Sequence, residues 1–158
     1  MDIRPADLIL VRGEDLIGNT IELITHSPYS HVAGVVKPNE LFEAQAFRRA
    51  GYQGLDFYAG RVDVFTCDEL TDEQRVQIVA EVERYDGRRY SYLLLLWELV
   101  RYVFGLALLA PKDWQPVICS TLWVRAYRKA GIDLCPGVRF PSPADMADSP
   151  KLRKVGAY

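Results

Sequence analysis

Hydrophobic and polar positions alternate along this chain in two distinct rhythms. Leu8-Ile9-Leu10-Val11 is a short unbroken apolar run ended by Arg12-Gly13, the pattern of a buried strand. His31 to Val36 is rich in β-branched residues and reads as a second strand. Lys37-Pro38-Asn39-Glu40 carries turn chemistry, and Leu41 to Gln45 reads as the return strand. Arg61-Val62-Asp63-Val64-Phe65 alternates polar and apolar, which predicts a further strand. Helical spacing appears elsewhere. Asp15 to Thr25 places Leu16, Ile17, Ile21, Leu23 and Ile24 as a short helix would, and His26 to Ser30 reads as a turn. Thr71-Asp72-Glu73-Gln74 is a capping-box pattern. The helix after it puts Ile78, Val79, Val82 and Tyr85 on one face and stops at Asp86-Gly87. Ser120 to Ala130 is the clearest helix, with Leu122, Trp123, Ala126, Tyr127 and Ala130 at helical spacing and Gly131 placed as a C-terminal cap. Strands early and helices late predict an α+β fold, formed as a single domain over 1–158.

The segment Leu93 to Ala110 has the length of a membrane span. Glu98 and Arg101 lie in its middle, three apart on one helical face, and each would be costly at a bilayer centre. The segment therefore reads first as a buried or partner-covered helix. An interfacial helix touching a membrane surface is the second reading and a true membrane span the third, and a second copy of the chain is a candidate cover.

Composition narrows the class. Nineteen basic and 21 acidic residues give a net charge of -2, and the basic residues are interspersed with acidic ones, so no nucleic-acid partner is expected. Cys67, Cys119 and Cys135 make an odd, widely spaced set, a poor disulfide framework that fits a reducing compartment. The opening Met1-Asp2-Ile3-Arg4-Pro5 lacks the charged-then-apolar layout of a secretory signal, which favours a cytoplasmic location. Peripheral membrane attachment is the alternative. No zinc-ligand spacing and no phosphate-binding glycine loop occur, so no metal or other cofactor is expected.

Three residues could carry chemistry. Cys119 immediately precedes the strongest helix, where the helix dipole and unpaired N–H groups favour a thiolate and could receive an oxyanion. A small buried hydrophobe is the alternative reading. His31 opens an apolar strand. As a base it would need one ring nitrogen facing a thiol and the other held by an acceptor; otherwise it is a structural histidine at a strand end. Glu43 sits within an apolar strand, where it either faces water or accepts the second ring N–H of His31. Cys67, Cys135 and His26 read as structural.

The pairing of His31 with Glu43 makes a geometric demand. Partner indices across an antiparallel hairpin have a constant sum, and side chains alternate faces. Two odd-numbered residues share a face only when that sum is even. A plain two-residue Pro38-Asn39 turn gives an odd sum, and proline fits the common two-residue hairpin turns poorly. The sequence therefore favours an odd loop or a bulge.

Four stretches in order carry a family resemblance. Ala6-Asp7-Leu8-Ile9-Leu10 resembles a G-D-[IL]-[IL] opening, and Ser27-Pro28-Tyr29-Ser30-His31-Val32-Ala33-Gly34-Val35 a Y-S-H-V-G-[IV] motif. Leu41-Phe42-Glu43-Ala44 resembles V-x-E-A. Cys119-Ser120-Thr121-Leu122 through Ala130-Gly131-Ile132 resembles C-S-E-L followed by A-G-[IV]. Together they resemble the circularly permuted branch of the NlpC/P60 superfamily, over about residues 6 to 132. Ala6 stands where glycine is usual, Ala33 is an added residue, and Thr121 stands where glutamate is frequent.

That resemblance implies a circularly permuted papain-like fold, with a helix presenting Cys119 to a small antiparallel sheet that carries His31 and Glu43. It implies a cysteine peptidase or amidase, a thiol hydrolase acting on peptides or cell-wall peptides through a Cys-His-Glu triad. Ser120, Tyr29 and Ser30 become candidates for oxyanion or substrate contacts. Two other functions stay open: a lipid acyltransferase or thioesterase using the same triad, and a binding domain without activity.

Overall fold

Strand β1, Leu8–Val11, is apolar at every position because it lies in the interior of a sheet covered on both faces. In the computed structural model, which describes residues 2–13, 23, 26–44, 48–89 and 118–158, β1 pairs antiparallel with β2 (His31–Lys37) and with β5 (Val62–Thr66). Beyond β2 come β3 (Glu40–Glu43) and β4 (Gly51–Gly54), and beyond β5 comes β6 (Arg153–Ala157). The result is a six-stranded antiparallel sheet in the order β4-β3-β2-β1-β5-β6. A 3-10 turn, Leu55–Tyr58, follows β4. Three helices complete the described chain: α1 (Asp72–Glu83), α2 (Cys119–Lys129) and α3 (Pro143–Ala147). The architecture is α+β. The helix expected over 15–25, Leu23 apart, and the apolar segment 93–110 lie outside the described residues.

Side-chain alternation divides the sheet into two apolar faces. Leu8, Leu10, Val32, Phe42 and Phe65 pack against Ile78 and Val82 of α1 and Leu122, Trp123 and Ala126 of α2. Ile9, Val11, Ala33, Val35, Leu41, Val62 and Val64 face the other way, under Leu55 and Tyr58. One buried ion pair ties β1 to α1: Arg75 Nη1 lies 2.9 Å from Asp7 Oδ1, with both side chains almost wholly enclosed. Thr66 Oγ1 donates to the same oxygen at 2.6 Å, and Arg75 also donates to the Pro5 and Cys67 carbonyls. The guanidinium fork thus meets acceptors in several directions, which is what a buried charge requires.

The β2–β3 hairpin meets the parity demand with a bulge. Lys37 pairs with Glu40 around the two-residue Pro38-Asn39 turn, but the register shifts between Val35 and Lys37. Beyond the shift, Val35 pairs with Leu41, Gly34 with Phe42 and Ala33 with Glu43. Proline followed by Asn39 at φ 62° matches a type II turn, which splays the strands it joins. The bulge at Val36 adds local twist and moves Glu43 to the face of Ala33 and His31.

The helix ends follow their sequence signals. Thr71 and Gln74 form the capping box of α1. At the end of α2, Gly131 has φ 88°, its N–H donates to Arg128 O, and the Ile132 N–H donates to Tyr127 O, a Schellman motif. Ala6 has φ 67°, a region that favours glycine and costs other residues about 1–2 kcal/mol. The strands-then-helices order is incomplete, because β6 returns after the last helix to lie beside β5.

Candidate active site

Cys119 is the first residue of α2. Ile118 precedes it with extended backbone (φ −129°, ψ 168°) and has no polar side chain with which to cap the helix. Thr121 supplies the missing partner: its Oγ1 accepts the Ile118 N–H at 3.1 Å. This is the back-reaching half of a capping box, which glutamate at that position performs in other helices. Cys119 therefore enters the helix at a fixed angle, 5% exposed, with the backbone N–H groups of Val32 and Ser120 directed at its sulfur.

His31 opens β2, and Glu43 closes β3. Ala33, not His31, is the direct cross-strand partner of Glu43. His31 is the diagonal neighbour two positions away on the same face, a separation that a glutamate and an imidazole can span. His31 Nε2 lies 2.8 Å from Glu43 Oε2. The ring also hydrogen-bonds to the Cys119 thiol, and with Nε2 engaged, Nδ1 is the nitrogen left for it. The histidine side chain is 15% exposed and the glutamate 5%. His31 and Glu43 spring from the face under Tyr58, whereas Cys119 belongs to the core on the helical face, so the three meet at the end of the strands.

Electrostatics bind the three together. Burial pulls the His31 pKa down, but the charge and hydrogen bond of Cys119 and then the hydrogen bond and charge of Glu43 outweigh it and push it up to about 10. For Cys119, burial favours the thiol, yet the charge and hydrogen bond of His31, followed by the Val32 and Ser120 amides, hold it below its ordinary value. Glu43 is held below the usual carboxylate range: burial opposes ionisation, and the His31 hydrogen bond and charge, the Tyr58 hydroxyl and the Arg48 charge prevail. The other free thiols behave oppositely. Burial raises Cys67, and burial together with the Asp145 charge raises Cys135 to about 12. Cys119 is thus the one free thiol among the described residues whose surroundings favour the thiolate.

The remaining candidates fall into different places. Tyr29 is 7% exposed and its hydroxyl donates to Asp63 Oδ2 at 2.6 Å, so its polar end is committed to β5. That carboxylate also receives Arg12 at 2.6 Å and Lys154 at 2.9 Å. The Ser30 N–H donates to Val11 O at 2.9 Å, extending the β1–β2 ladder toward His31. Ser120 is fully buried with its Oγ unpaired, and its contribution to the site is its backbone N–H. His26 lies exposed in a turn at φ 52°.

One residue at the site escapes sequence reasoning. Tyr58, at the end of the 3-10 turn, is 3% exposed and donates its hydroxyl to Glu43 Oε2 at 2.7 Å. Its ring centroid lies 6.1 Å from that of His31. The only local signal is an aromatic pair, Phe57-Tyr58, in a stretch without periodicity.

No family model matches the chain, and no curated protein matches it. A solved structure does, described as the metalloprotein yiiX from Escherichia coli O157:H7, DUF1105. The likeness covers 100% of this chain and 99% of that one, with a TM-score of 0.74 at 18% sequence identity. At that identity the two share a fold. Among the described residues, no helix is long and apolar enough to cross a membrane.

Proposed function

We propose that the chain is a cysteine hydrolase that cleaves an amide bond in a peptide or cell-wall peptide, on a circularly permuted papain-like frame of the NlpC/P60 kind. The single observation that carries this reading is the His31 ring, held at Nε2 by Glu43 Oε2 at 2.8 Å and acting electrostatically on Cys119 at the start of α2. His31 takes the proton of Cys119, and the resulting thiolate lies beside an imidazolium. The thiolate attacks the carbonyl carbon and forms an acyl-enzyme. Backbone N–H groups at the start of α2 receive the developing oxyanion. His31 then protonates the departing amine and afterwards draws a proton from the attacking water. Glu43 fixes the ring tautomer and balances its charge. Acyl transfer to lipid, the other chemistry the resemblance raises, draws its support from segment 93–110, outside the described residues.

The yiiX description names a metalloprotein. Among the described residues, no group of three or more His, Cys, Asp or Glu is placed to hold a metal ion, and His31 Nε2 is engaged by Glu43. No step of the proposed reaction runs through a metal.

The test is the pH dependence of Cys119 alkylation by iodoacetamide, with Cys67 and Cys135 replaced by serine. Rapid reaction well below pH ~8, lost in His31→Ala, supports a thiolate-imidazolium pair. Reaction no faster than that of a free thiol overturns the hydrolase reading.

A further inference from the structure

We propose that Tyr58 is a positioning residue of this site: its hydroxyl holds the Glu43 carboxylate ionised and aimed at His31, making the functional unit four residues and not three. The inference rests on the hydrolase reading above. Both hydrogen bonds converge on one oxygen, Glu43 Oε2, at 2.8 Å from His31 Nε2 and 2.7 Å from the Tyr58 hydroxyl. A glutamate on a diagonal cross-strand neighbour has several rotamers to choose from, and a second donor from a different element selects one. Tyr58 is well placed to do this. It is enclosed, packed edge-to-face on Phe57 at 4.9 Å, with the Arg61 guanidinium 5.7 Å from its ring. Its own proton is secure. Burial first, then the charge and hydrogen bond of Glu43 and the charge of Cys119, push its pKa up, with Arg61 opposing weakly. Tyr58 therefore keeps its proton, and remains a donor, above the pH at which an ordinary tyrosine ionises. It cannot serve as a base.

The groups acting on Glu43 are His31 from β2, Tyr58 from the 3-10 turn, and the Arg48 charge, while Cys119 of α2 acts through both rings. Of these, His31 and Tyr58 hydrogen-bond to the carboxylate. Removing the hydroxyl leaves His31 as the remaining hydrogen-bond donor of that pair, so the glutamate takes up a proton at higher pH. Once it is neutral, the imidazolium loses its counter-charge and the thiolate population falls.

The experiment is the acid limb of Cys119 alkylation in Tyr58→Phe, in the background lacking Cys67 and Cys135. Phenylalanine keeps the ring packing, so the melting temperature should change little. The acid limb is expected to move up by about one pH unit, seen as an alkylation rate lower by about tenfold at its foot. A 3-fluorotyrosine at position 58, a stronger donor of nearly the same shape, is expected to move the limb the other way. In a Glu43→Gln background, Tyr58→Phe should add nothing. A Tyr58→Phe profile that superimposes on its parent overturns the proposal, as does an equal loss with or without Glu43. If the parent itself shows no His31-dependent acceleration, the hydrolase reading fails and the role of Tyr58 falls with it.

Discussion

The indole of Trp123 fills the space in which a side chain on Gly34 would stand: an added Cβ would lie 2.3 Å from Cζ2 and 2.4 Å from Cε2. Trp123 is one helical turn beyond Cys119, and its Nε1 donates to Phe42 O at 3.1 Å. The absent side chain at Gly34 thus sets how closely α2 approaches β2, and with it how closely Cys119 approaches His31. Gly34→Ala is expected to destabilise the protein by about 1–3 kcal/mol through overpacking. It should also reduce Cys119 reactivity more than the stability loss alone would, because the ring can yield only by lifting the helix. Thermal melting and alkylation at one pH, measured together, check both parts.

Turnover should follow a bell-shaped pH profile. Its acid limb is set by Cys119, held below its ordinary value of 9.0, and its alkaline limb by His31 near 10. Alkylation has no alkaline limb, since the thiolate persists after the imidazolium loses its proton. Comparing hydrolysis of a peptide amide with alkylation across pH ~5 to ~11 separates the two. The same shift sets stability. A raised His31 contributes stability fully present below its ordinary 6.5 and lost as pH rises through about 10, so His31→Ala should flatten the alkaline fall in melting temperature.

Glu43→Gln should leave the fold intact and lower kcat/KM by about two to four orders of magnitude, through a misheld tautomer. The sign on stability is the reverse of that for histidine. A carboxylate with a lowered pKa contributes stability present above its ordinary 4.5 and lost as pH falls through the lowered value. The variant should therefore lose less stability on acidification than the parent, a difference that urea titrations at neutral and acid pH will read.

The Asp7–Arg75 pair predicts an asymmetric outcome. Asp7→Ala leaves a guanidinium buried without its counter-charge and should cost about 3–5 kcal/mol. Arg75→Met with Asp7→Leu replaces the pair by apolar groups and should cost far less. Chemical denaturation of both variants decides it; equal losses would mean that the ion pair is not the source of the effect.

Much of this fold is legible in the sequence where burial imposes a period. β1, β2 and β5 appear within a residue or two of their observed bounds, and both long helices appear with their caps, because Thr71-Gln74 and Gly131 carry local chemistry. Edge strands carry no such imprint. Gly51-Tyr52-Gln53-Gly54 and Arg153 to Ala157 are half-solvated, so no apolar alternation marks them. The short α3 has Ser142 as its N-cap, Pro143 in its first turn and Asp145 reaching back, but its five residues give no period to mark a helix in the sequence. At the site, Cys119, His31 and Glu43 stand out as chemistry in apolar contexts. Tyr58 does not, since a tyrosine in an aperiodic loop is ordinary until its hydroxyl is seen on Glu43. The hairpin parity exposed a conflict that the sequence could state and not resolve, because loop and bulge satisfy it equally.

The bulge at Val36 has a consequence for the lengths this hairpin tolerates. Deleting one residue between Val35 and Leu41, or inserting one, rotates everything beyond it by half a strand repeat and carries Glu43 to the opposite side of the sheet. Changing the length by two restores the alternation. Variation in this turn should therefore be quantised: a length change of two, coming in pairs, keeps a working site, whereas a change of one leaves a folded sheet whose histidine has lost its partner.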